Sequence, residues 1–134
     1  MARRKNNLNE RELSLVRKSS KSYVESFKEA LNLFVDDCEL RNLRPFTIRY
    51  YQNEIHAFLN QLEKQGIDTN QLKPNNVKGS LIEENVILYM RKYKGAKVVS
   101  INTRLWALRS IFNFLYNKKH IKNNPMKKRK AFEG

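Results

Sequence analysis

Apolar residues in this chain recur every three or four positions and nowhere alternate for long, a pattern that packed helices satisfy and a sheet does not. The period is clearest where Ile101, Leu105, Leu108, Phe112 and Leu115 fall at relative positions 0, 4, 7, 11 and 14. Tyr51, Ile55, Phe58, Leu59 and Leu62 repeat it, as do Tyr23, Phe27, Leu31, Phe34 and Cys38 with Ala30 and Val35 beside them, and Ile82, Val86, Tyr89, Met90 and Tyr93. Four apolar stripes on 134 residues imply one all-α domain, a compact bundle of four to five helices that buries roughly two-thirds of its unfolded surface.

Local signals set the boundaries. The first helix is expected from near Ser22, and Arg41 to Pro45 ends it, because a residue before proline avoids helical geometry. A second helix runs from about Phe46 to a stop at Gly66. Residues 67–79 read as a long loop, with Ser80 and Glu83 spaced as a capping box for a third helix over about 81–93. Ser100 is a candidate N-cap for the fourth, and Asn123-Asn124-Pro125 closes the domain. The organisation expected is a basic flexible arm over 1–21, the domain over 22–125 and a basic linker over 126–134.

Charge narrows the partner. The net charge is +14, and from Asn85 to Phe132 no Asp or Glu occurs among 48 residues that carry thirteen Lys and Arg. A field of this sign attracts nucleic acid. The first helix is the exception, its outward positions Glu25, Glu29, Asp36, Asp37 and Glu39 being acidic, so it is expected to face away from a phosphate backbone. The longest apolar runs are far shorter than the ~20 residues of a membrane span, and Cys38 is the only cysteine, which excludes an internal disulfide. In phase with the apolar stripe, Cys38 reads as a buried structural thiol, and an intracellular location fits. With two separated histidines, His56 and His120, there is no metal-ligand spacing, cofactor motif or nucleophile motif. The chain alone is therefore expected not to be an enzyme and to use no cofactor or metal.

Two clusters carry the functional reading. Arg44, Thr47, Arg49 and Tyr50 gather at the start of the second helix, where free backbone N–H groups and the positive dipole end favour phosphate. On the fourth, Asn102, Trp106, Arg109 and Asn113 form one line beside the apolar face. Asn and Arg can pair bidentately with base edges, and Trp can wedge against sugar or base. The alternatives remain open: Trp106 can widen the core, Arg109 can pair with the acidic first helix, Ser100 can simply cap, and Lys118 and Lys119 suit a helix C-terminus with or without DNA.

The runs Asn42-Leu43-Arg44-Pro45-Phe46-Thr47-Ile48-Arg49-Tyr50-Tyr51 and Ser100-Ile101-Asn102-Thr103-Arg104-Leu105-Trp106-Ala107-Leu108-Arg109, with Asn124-Pro125 after them, resemble the N-terminal core-binding domain of tyrosine recombinases, the phage-integrase family. The match covers about residues 22–125. The resemblance implies a SAM-like helical bundle forming half of a C-shaped clamp on a recombination half-site, with double-stranded DNA as partner and other protomers alongside. Residue by residue it implicates Arg44, Thr47, Arg49, Tyr50, Ser100, Asn102, Arg104 and Arg109, beside which Lys118 and Lys119 add charge. It also implies a strand-cleaving catalytic domain after the 127–130 linker of a longer parent. The competing readings are a stand-alone helical DNA-binding regulator, in which a tight turn before the fourth helix would be needed, and a helical protein or RNA interaction module.

Overall fold

Ser26 starts the first helix of the computed structural model, which describes residues 23–134. The basic arm expected over 1–21 lies outside the described residues. Helix α1 spans Phe27–Leu40, its N-cap Ser26 accepting from the Glu29 N–H at 3.1 Å while Glu29 accepts in return from the Glu25 N–H. The helix begins later than the Ser22 expectation because Ser26 is extended and the Val24 N–H reaches the His120 carbonyl at 3.0 Å, tying this segment to the far end of the chain. Asn42 ends α1 in a left-handed conformation, φ 59°, with N–H bonds from Asn42 to Glu39 and from Leu43 to Cys38 that satisfy otherwise orphaned carbonyls.

Pro45 opens α2, Pro45–Lys64, at the position where its missing N–H costs nothing. Gly66 at φ 84° stops it. The following loop is fastened by a 3₁₀ turn at Pro74–Asn76, with Pro74 and Val77 buried and the Asn75 Oδ1 accepting from the Lys122 N–H at 2.7 Å. Helix α3 begins with one α turn, Gly79–Leu81, and continues as a π-helical segment, Ile82–Tyr93. Two expectations are corrected here. Ser80 lies inside the first turn behind an N-cap at Lys78 without a side-chain cap, and the inward stripe is Ile82, Val86, Ile87 and Met90, with Tyr93 80% exposed. Eleven residues make about three α-helical turns and would return Tyr93 to the face of Ile82; the wider π winding carries it out and brings Ile87 in.

Helix α4, Val98–Asn117, starts two residues before Ser100, behind an N-cap at Lys97. Ser100 is therefore not the cap. All five residues of its expected stripe are buried, joined by Ala107 and Ile111. Lys119 ends the helix at φ 64°, in the conformation that Gly66 supplies for α2.

The regular structure is all helical, with no strand among the described residues, and Val24, Val77, Ile121 and Met126 join the helices in the core. Phe27 sits edge-on to both Phe58 and Phe112, at 5.9 and 6.3 Å between ring centres, so α1, α2 and α4 meet at one aromatic knot. Cys38 is wholly buried, and that burial pushes its thiol up from the ordinary value. Gln61, the one buried polar or charged residue among the described residues, joins three helices: its Nε2 donates to the Asn85 carbonyl of α3, and its Oε1 accepts from Arg104 of α4.

Candidate nucleic-acid interface

The four helix starts are chemically unequal. α1 begins with a Ser cap and Glu29 in its first turn, and the π-helical part of α3 begins with Glu83 and Glu84. α2 and α4 begin with neither a side-chain cap nor an acid, behind Arg44 and Lys97 respectively. Backbone donors and the positive end of the dipole are thus left uncompensated at the α2 and α4 starts, whereas the α3 start, equally uncapped behind Lys78, has Glu83 and Glu84 one turn further in.

At the α2 start, Arg44 and Arg49 are exposed and Thr47 is half-buried. Neither arginine forms an ion pair with any described residue. Tyr50 is placed differently: its hydroxyl donates to the Thr103 carbonyl at 2.6 Å, and burial, more than the nearby Glu54, pushes its pKa up. It holds α2 against α4 and stays protonated. Between the end of α1, the start of α2 and the end of α4 lies a cleft of about 400 Å³ lined by Arg41, Tyr51, Asn113, Asn117 and Lys118. Arg41 bonds Asp37 one turn back at 2.9 Å and remains half exposed. Sequence reading missed Arg41 because it was absorbed into the helix break. Lys118 and the left-handed Lys119 stand exposed at the same end of α4.

On α4 the expected contacts divide. Ser100 is exposed in the first turn. Arg104 is not on an open face: its Nε lies 2.6 Å from Glu54 and its Nη1 2.6 Å from Gln61, with only 12% of the side chain exposed. It is a bridge within the bundle. Arg109 does not reach the acidic first helix; its Nη2 donates to the Arg129 carbonyl. Trp106 is 59% exposed and so does not widen the core.

The remaining stripe residues meet the chain again. After Pro125 the backbone turns and lies in the groove between α3 and α4. Asn113 accepts from Asn124 at 2.7 Å, Arg109 meets Arg129, and Asn102 grips Phe132 twice, its Nδ2 donating to the Phe132 carbonyl at 2.9 Å and its Oδ1 accepting from the Phe132 N–H at 2.7 Å. These partners run opposite to α4 and parallel to α3, where Arg129 approaches Glu83 at 3.5 Å and Phe132 packs under the Arg91 guanidinium. Met126 is 2% exposed. The stretch expected as a linker thus contributes to the core, and its signal was two isolated apolar residues, Met126 and Phe132, in an otherwise charged run.

Residues 31–119, about two-thirds of the chain, match the family model described as phage integrase, N-terminal SAM-like domain. Compared with curated proteins and with solved structures, the chain finds no match.

Proposed function

Because this chain belongs to the family of phage-integrase N-terminal SAM-like domains, we propose that it is the DNA-binding domain of a site-specific tyrosine recombinase, holding one side of a recombination half-site. The observation that carries this reading is the asymmetry of helix starts. α2 and α4 begin without cap or acid and among cations, α1 begins with a Ser cap and Glu29, and α3, uncapped behind Lys78, is followed one turn in by Glu83 and Glu84, whose carboxylates repel phosphate. Arg44, Thr47 and Arg49 at one start, Ser100 at the other, and Lys118 and Lys119 at the end of α4 form the proposed phosphate-binding set. Exposed Trp106 is placed to lie against sugar or base. In this reading double-stranded DNA is the partner, other protomers bind alongside it, and strand cleavage belongs to a catalytic domain of the parent recombinase.

The connection between α3 and α4 is four residues, Lys94 to Lys97, the length of a helix-turn-helix turn. That favours a second reading, a regulator with α4 as recognition helix. Against it, Asn102 and Arg109, the side chains suited to base edges, are bonded to the chain's own backbone.

The test is binding to a labelled duplex across a salt series. Four to six neutralised phosphates give a log–log slope of about −4 to −5, and Arg44→Ala with Arg49→Ala should flatten it by about one unit each. A slope near zero, or variants that bind as wild type does, would overturn the proposal.

A further inference from the structure

Residues 126–134 carry both anchors and charges, and the two kinds alternate in direction. Met126 is buried, Arg129 points inward to Glu83 and Phe132 packs against the core, while Lys127, Lys128 and Lys130 are exposed. A segment that merely trailed from the domain would have no reason to be gripped by both halves of a carboxamide. Asn102 is the best-satisfied fastening, with one donor and one acceptor each paired to the Phe132 backbone. The Arg109 seam is looser, since the Nε atoms of Arg109 and Arg129 are buried without a hydrogen-bond partner. For Asn102 to read an adenine edge, both of its bonds to the strap would have to break.

We propose that residues 126–134 form a basic strap that is part of the DNA-binding surface, with Asn102 as a positioning residue that fixes Lys127, Lys128 and Lys130 as a phosphate-binding row. The inference rests on the DNA-binding reading above and reassigns Asn102 within it, from base contact to support. Lysines on an ordered strap bind phosphate without first losing the freedom of a loose chain, so fixing them strengthens binding that is indifferent to sequence.

Because the contact is to phosphate, the probe is a fluorescent random-sequence duplex titrated with the full chain across a salt series. Replacing Lys127, Lys128 and Lys130 together by Gln should flatten the log–log salt slope by about 2 to 3 units. Asn102→Ala should shift it in the same direction, and in the lysine-substituted background should add almost nothing, because the two changes act through one element. Phe132→Pro removes the N–H that Asn102 accepts while leaving Asn102 intact, and should reproduce Asn102→Ala even if the latter folds poorly. Additive losses, or wild-type binding by Asn102→Ala or Phe132→Pro, would overturn the strap. If Asn102→Ala weakened only binding to a selected half-site, Asn102 would be a base reader. Absence of binding by the wild-type chain would instead remove the DNA-binding reading itself.

Discussion

At the opening of α2, Arg44 and Arg49 project into solvent, whereas on α4 Asn102, Arg104 and Arg109 each hold another part of the same molecule. The difference follows from what lies over each helix rather than from position along it, since Arg49 and Asn102 are each the fifth residue of a 20-residue helix. At the opening of α2 nothing among the described residues pairs with Arg44 or Arg49. On α4 a side chain beside the apolar face meets what covers the neighbouring groove: α2 covers the Arg104 flank and the strap covers the flank of Asn102 and Arg109. Charged and amide groups are therefore placed differently at the two regions: exposed and free of ion pairs with described residues at one, fastened internally at the other.

The largest expected effect breaks the covered region. Met126→Ala removes a buried side chain and should destabilise the domain by about 2–4 kcal/mol, read as a lower midpoint in urea; an unchanged midpoint would mean that the strap is not part of the fold. Arg104→Ala comes next. It leaves Glu54 and Gln61 without their guanidinium partner in a site that is mostly but not wholly closed to solvent, so about 2–3 kcal/mol is expected. Its effect on DNA affinity should vanish at temperatures where the variant is fully folded. Lys119→Gly should raise stability by up to about 1 kcal/mol, since glycine adopts the left-handed conformation freely, offset in part by its greater freedom when unfolded. If Lys119 touches phosphate, the same variant should bind duplex less tightly while melting higher, which separates the two roles in one protein. Arg44→Ala and Arg49→Ala should leave the melting temperature nearly unmoved and register only in the salt slope. A drop in stability there would erase the contrast between the two regions.

The all-α bundle and most of its core were legible because burial imposes a period on sequence. Every apolar position expected on α4 is buried. The third helix escaped in part, since Ile87 and Tyr93 exchange places only when the winding departs from 3.6 residues per turn, and residue types do not announce that departure. Candidate site residues were harder to assign for a related reason. Periodicity tells which face a side chain occupies, but not what lies on that face, so the stripe of Asn102, Arg109 and Asn113 was recognisable as polar and aligned, while its partners came from residues 11 to 30 positions later. Helix caps were misplaced by two residues at Ser80 and by three at Ser100, because a serine near a start suits the first turn as well as the cap.

Cys38 also makes this chain convenient to interrogate chemically. As the only cysteine, fully buried and with its thiol shifted away from the reactive thiolate, it should resist alkylating reagents until the bundle opens. A thiol introduced by Lys128→Cys would sit on the exposed strap beside that silent one. Pulsed labelling would then read the exposed thiol in the folded domain as an internal reference against which global opening at Cys38 is timed, within a single molecule and without removing any native group from the core.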